Sequence, residues 1–131
     1  MIRTKSVHSP IDRKRDGLRV LAARFRGRGI PTTRYDVWMP NLAPSERTLR
    51  SFLAGDLSWA AFRAAYRKEL RNSDSLDRDN RSIKNHGQKF TLRLLQRLGH
   101  SGTVTMMCQC AEDEPHCHRH ELKRILDRPI P

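Results

Sequence analysis

All three cysteines of the chain fall within ten residues, at Cys108, Cys110 and Cys117, and three of its six histidines, His116, His118 and His120, fall in or beside that stretch. An apolar, β-prone run (Val104, Met106, Met107) precedes the cluster, and a short acidic loop, Glu112-Asp113-Glu114, closed by Pro115, interrupts it. Beyond the loop, Leu122, Ile125 and Leu126 recur at helical spacing,. The segment therefore predicts strand, loop, helix. Such a unit aims a helix N-terminus at the carboxyl end of a strand, where open α/β sheets place their ligands.

Helical periodicity sorts the candidates. His118 lies one turn before Leu122, on the buried side, and Arg119 flanks the same face, whereas Cys117 and His120 project away from that stripe,. His118 and Arg119 are thus expected at a pocket on the sheet edge. An anion there would meet free backbone N–H groups, the positive helix end, an imidazole and a guanidinium fork. Cys110, at the predicted strand end, is the thiol expected to share that space, and a nearby cation would lower its pKa. Cys108, within an apolar strand, reads as inert packing.

A metal site is an alternative for the same residues. Cys108 and Cys110 project from one face of a strand, and His116 and His120 are spaced i, i+4, so the four offer a tetrahedral zinc set,. The spacing matches neither a zinc finger nor a paired CxxC ribbon, and no other cofactor is predicted.

A chain of 131 residues has the length of one domain,. Three clustered cysteines do not suggest a disulfide framework and fit a reducing, cytoplasmic setting. No apolar run reaches membrane-spanning length, and MIRTKSVHSP has no hydrophobic signal region,. The net charge is +12, and residues 1–34 hold ten Lys/Arg against Asp12 and Asp16. That bias makes a nucleic-acid-binding module the second reading. Against it, aromatic residues are 6% and do not interleave with the basic run as a stacking platform requires,.

Taken in order, residues 2–7 predict a first strand and Asp12–Gly17 a charged turn. Leu18–Phe25 predicts a buried strand, flanked by Gly17, Gly27 and Gly29,. Arg24 and Arg28 beside those glycines form a candidate anion clamp. Tyr35–Met39 predicts another extended segment. Ser45 caps a helix over Glu46–Leu53, ended by Gly55, and Ser58 caps the next, with Trp59, Phe62, Tyr66 and Leu70 as its core stripe. Residues 71–87 predict a polar loop or partly disordered insertion, with His86 a solvent-exposed loop residue. Residues 88–98 predict a helix with Phe90, Leu94, Leu95 and Leu98 inward and Gly99 as its cap. Residues 127–131, with two prolines, predict a frayed tail. The sum is a single α/β domain of three layers, a small and mostly parallel sheet flanked by helices.

Several of these pieces, in this order, resemble the domain-of-unknown-function 488 family, including its YeaO-like branch. They are Ile2-Arg3-Thr4-Lys5; Arg19-Val20-Leu21 with Arg24 and Arg28-Gly29; Leu42-Ala43-Pro44-Ser45; Trp59 with Phe62, Tyr66, Glu69 and Leu70; Met107-Cys108-Gln109-Cys110; and His116-Cys117-His118-Arg119. The YeaO-like branch tends to carry Asp before the arginine and Trp-Pro after the next residue, where this chain has Ala23 and Arg26-Gly27. The Cys-His-Arg element is similar to the wider family. The resemblance implies an α/β fold with a compact sheet and supplies no established reaction.

The leading expectation is a cytoplasmic α/β protein whose pocket binds a small anionic ligand, phosphate or carboxylate. Arg24, Arg28 and Arg119 would hold the anion. If the pocket is catalytic, Cys110 is the candidate nucleophile and His118 the acid/base. A nucleic-acid-binding module and a zinc-stabilised interaction domain are the alternatives. Neither the reaction nor the oligomeric state follows from the sequence.

Overall fold

A computed structural model describes residues 1–25, 29–72 and 87–131. Four strands, β1 (Ile2–Ser6), β2 (Leu18–Leu21), β3 (Val37–Trp38) and β4 (Val104–Cys108), form one sheet in the order β1-β4-β2-β3. Every pairing is parallel, so the sheet is wholly parallel rather than mostly so. Val104 is in register with Ile2 on one side and Leu18 on the other, and Cys108 is in register with Ser6. All five residues of β4 are buried, as a central parallel strand requires,.

Strand alternation divides the core in two. Val104 and Met106 share one side with Val20, Ala22, Tyr66, Leu92, Leu95, Leu122 and Leu126. Met107 lies in the second cluster with Val7, Leu21, Ala23 and Tyr35. The first cluster takes its helical residues from α3 (Trp59–Arg71), α4 (Lys89–Ser101) and α5 (His118–Leu126). Cys108, two residues past Met106, continues toward that helical side. Gly17 starts β2 at φ 60°, and a Cβ there would lie 2.0 Å from the Thr103 carbonyl oxygen, so only glycine lets the two strand starts meet,.

The capping residues act as expected. Ser45 accepts from the Thr48 N–H to start α2 (Glu46–Leu53), and Ser58 accepts from the Ala61 N–H to start α3,. Glu69 ties the two helices together: its carboxylate accepts from Ser45 N (2.8 Å), Ser45 Oγ (2.5 Å) and Thr48 Oγ1 (2.5 Å). In α3, Phe62, Tyr66 and Leu70 are buried and Trp59 is half-buried.

Three expectations are corrected. The turn over residues 12–17 contains a helical turn, α1 (Arg13–Asp16), capped by Asp12 and closed around the buried Asp16 carboxylate. The strand expected over Leu18–Phe25 stops at Leu21, because Ala22 and its successors turn their carbonyls to side chains. In α4, Leu92, Leu95 and Gly99 face the core, while Phe90, Leu94 and Leu98 are exposed. Two apolar stripes run along that helix, and Gly99 selects between them. It sits inside the helix, where a Cβ would come 2.6 Å from Ile2 Cδ1, and the Gly102 N–H closes the helix on the Leu98 carbonyl. Past α5, Gln96 donates to the carbonyls of Leu126 and Arg128, and Ile130 packs against the core. Among the described residues, no helix is long and apolar enough to cross a membrane.

Candidate functional site

The end of β4 and the start of α5 converge at the carboxyl edge of the sheet. Cys108 is the last residue of β4, Cys110 lies two residues on, and Cys117 is the N-cap of α5, with extended backbone. Their three sulfurs lie within 4.8 Å of one another. Those of Cys108 and Cys117 are 2.7 Å apart, and all three are free cysteines.

Arg119 organises the loop that returns the chain from β4 to α5. Its side chain is fully buried. Nη1 donates to Cys108 Sγ (2.9 Å) and the Cys110 carbonyl (3.3 Å), and Nη2 to the carbonyls of Ala111 (2.9 Å) and Glu112 (3.0 Å). Among the described residues its Nε has no partner. The nearest carboxylate, Glu112, is 3.6 Å away and is itself held by Ser6 N and Ser9 Oγ at the end of β1. Burial pulls the guanidinium toward neutrality, but the sulfurs of Cys108 and Cys117 and the Glu112 carboxylate outweigh it and hold the charge more firmly than usual.

That cation and the packing of the thiols set the proton inventory. Cys108 and Cys117 act as proton-donating neighbours of Cys110 and outweigh its partial burial, and the Arg119 guanidinium adds positive charge, so its pKa is lowered below the ordinary thiol value,. The two donors are pushed the other way: Cys108 to about 11 and Cys117 well above its ordinary value. The partly exposed Cys110 is thus favoured as the thiolate, and the two buried thiols beside it are favoured to keep their protons.

His118 is pinned on two sides. Its Nε2 donates to the Ala22 carbonyl (2.5 Å) at the end of β2, and Tyr66 packs against it edge-on at 5.7 Å. Burial lowers its pKa, so the ring is neutral near pH 7,. A carbonyl only accepts, so the proton of the neutral ring sits on Nε2 and Nδ1 presents a lone pair, 4.0 Å from Cys117 Sγ,. Tyr66 in turn donates to the Leu42 carbonyl at 2.5 Å.

The structure thus brings Cys110, His118 and Arg119 together, as the sequence predicts, and adds two residues that the prediction set aside. Cys108 is buried packing and also a member of the sulfur cluster. Cys117 does not project away; it is 2% exposed. Helical projection misplaced it because an N-cap residue has extended φ and ψ and does not lie on the helical wheel,. The tetrahedral set of Cys108, Cys110, His116 and His120 is not assembled: the exposed His116 stacks on Trp59 at 5.0 Å, and His120 Nε2 donates to the Glu114 carbonyl. Arg24, at the end of β2, donates to the carbonyls of Ala43 (3.4 Å) and Pro44 (3.2 Å), bracing the entry to α2. Arg28 and His86, with most of the loop expected over 71–87, lie outside the described residues.

No curated protein and no solved structure matches the chain. The family model described as the active DUF488-N3 subclade, DUF488-N3a, matches residues 2–129, from the first strand through the cysteine cluster to the end of α5, and the chain accordingly belongs to the DUF488 family.

Proposed function

We propose that the DUF488 site of this chain is a thiolate site in which Cys110 is the nucleophile toward a small substrate bearing a phosphate or carboxylate. The observation that carries this reading is the packing of three sulfurs within 4.8 Å around a buried guanidinium. A thiolate, not a thiol, is the attacking species, and a neighbouring cation and helix N-terminus are what sustain one at neutral pH. Arg119 spends its terminal nitrogens on the loop and on Cys108, so its part is to shape the loop and to place a positive charge beside the thiolate. His118, neutral and with Nδ1 left free by the Nε2 bond to Ala22, is the acid/base candidate toward the substrate,. The anion would meet the first turn of α5 and the end of β2, where Arg24 stands.

The test is the pH dependence of alkylation by iodoacetamide, followed by mass spectrometry. Alkylation of Cys110 that persists at pH 6 and is abolished by Cys110→Ser supports the reading. A rate that tracks an ordinary thiol pKa, about 8.5, overturns it. Phosphate- and carboxylate-bearing compounds screened against wild type and Arg24→Ala then address the substrate.

The same sulfurs favour a second reading, a soft-metal site. Three thiolates from Cys108, Cys110 and Cys117 would leave one coordination position open, as catalytic rather than closed structural zinc sites do,. Near one zinc per chain in protein purified without chelator or histidine tag would favour this reading and demote Cys110 as a nucleophile.

A further inference from the structure

Away from the cysteines, α3, α4, α5 and the tail enclose a groove of about 580 Å³. Among the described residues six cationic side chains line it: Arg63, Arg67, Arg71, Lys89, Arg124 and Arg128. The one acidic side chain among its described lining residues, Glu121, is 1% exposed and already committed. It accepts from Arg63 Nε at 2.7 Å and from Arg67 Nε, with Arg124 3.8 Å away. Burial alone would raise the Glu121 pKa, but the two arginines outweigh it, so the carboxylate stays ionised. Among the described residues Arg71, Lys89 and Arg128 have no carboxylate partner.

Among the described residues one acidic side chain does not neutralise six cationic ones, and like charges converging on one concavity repel unless an anion joins them,. The groove is not simply polar, however. Leu70, Leu92 and Ile125 form its apolar lining between the charged residues. Its volume is that of a small-molecule site, where an apolar body is buried and a few polar groups fix its orientation. A wall of guanidiniums over an apolar floor suits a ligand with phosphate at one end and a flat or apolar body at the other.

We propose that this groove binds a phosphorylated small molecule of nucleotide size, its phosphates on Arg71, Lys89 and Arg128 and its apolar body on Leu92 and Ile125. The site is separate from the cysteine cluster and does not depend on the chemistry assigned there. Arg63 and Arg67, held by Glu121, set one wall, and the tail residues close the other.

The test is calorimetric titration of the full chain at physiological salt with ATP, inorganic pyrophosphate and a single-stranded oligonucleotide. ATP is expected to bind more tightly than pyrophosphate, because only ATP fills the apolar floor. Lys89→Glu with Arg128→Glu is expected to weaken ATP by about tenfold or more with an unchanged thermal midpoint. Arg71→Glu serves the same purpose should that pair fail to fold. Cys110→Ser should leave binding intact. No ATP binding, equal binding of pyrophosphate, ATP binding indifferent to the substitutions, or an oligonucleotide that outcompetes ATP through the same residues would each overturn the proposal.

Discussion

Replacing Arg119 with Met tests whether the buried guanidinium serves the thiolate or only the loop. Methionine matches the length of the arginine stem and leaves no orphaned Nε. It removes the donors to Cys108 Sγ and to the carbonyls of Cys110, Ala111 and Glu112. Those loop residues are partly or fully exposed, so water can take over much of the lost bonding. The expected stability loss is therefore about 2–4 kcal/mol, below the sum of four charge-assisted bonds. The electrostatic effect is separable. Nη1 lies 2.9 Å from Cys108 Sγ, whose sulfur is within 4.8 Å of that of Cys110; a unit charge about 8 Å away, at an effective dielectric constant of about 20, is worth about 2 kcal/mol, or about 1.5 pKa units. The apparent pKa of the Cys110 thiol should rise by that order, and alkylation at pH 6 should slow. Arg119→Lys keeps the charge without the fork, so it should loosen the loop yet retain most of the low-pH reactivity. A pH profile of Cys110 alkylation unchanged in Arg119→Met, alongside the stability loss, would refute the electrostatic role and leave Arg119 as a loop anchor.

Other consequences can be checked by routine measurements. The Asp16 carboxyl is raised by burial, but the Asp12 N–H and Lys5 outweigh that and hold its pKa below the usual value. Its stabilisation is thus present above the unfolded pKa of about 4 and lost as pH falls through the lower folded value. Denaturation midpoints of wild type and Asp16→Asn should therefore converge in acid and separate near neutrality. Tyr66→Phe should cost about 1–3 kcal/mol by orphaning the buried Leu42 carbonyl, read by urea denaturation,. Gly17→Ala places a Cβ 2.0 Å from the Thr103 oxygen at a positive φ and should abolish soluble folded protein, or lower the thermal midpoint more than any other change named here,. Cobalt(II) added to reduced protein should give thiolate charge-transfer absorption only if the three sulfurs bind metal, and Cys117→Ser should then abolish it while His116→Ala leaves it intact,.

The legibility of the chain followed how local each signal was. The helices α2 and α3 were readable because Ser45 and Ser58 cap them within four residues and their apolar spacing is unambiguous. The strand, loop and helix around the cysteines were readable for the same reason, as was the meeting of Cys110, His118 and Arg119. What failed depended on partners distant in sequence. Which stripe of α4 faces inward is decided by Ile2, some hundred residues away, against Gly99. Arg24 braces carbonyls about twenty residues further on, a choice invisible beside its neighbouring glycines. Cys117 was misplaced by one residue's backbone, since an extended φ and ψ before a helix overrides the wheel. The charged groove combines three helices and a tail, and no run within any one of them announces it.

The sheet order has a consequence for how the protein comes into being. β1 and β2 share no ladder; each pairs with β4, the last of the four strands in chain order. The first hundred residues can therefore supply helices and hairpin-free strands but no central sheet, and the domain closes only when residues 104–108 insert between strands made long before. Such non-local pairing is slow to nucleate and leaves strand edges uncovered meanwhile. Because the inserting strand ends in Cys108, the thiol cluster is assembled in the same event that completes the fold. A chain lacking residues 104–108 should hence hold neither the four-stranded sheet nor an ordered thiol cluster.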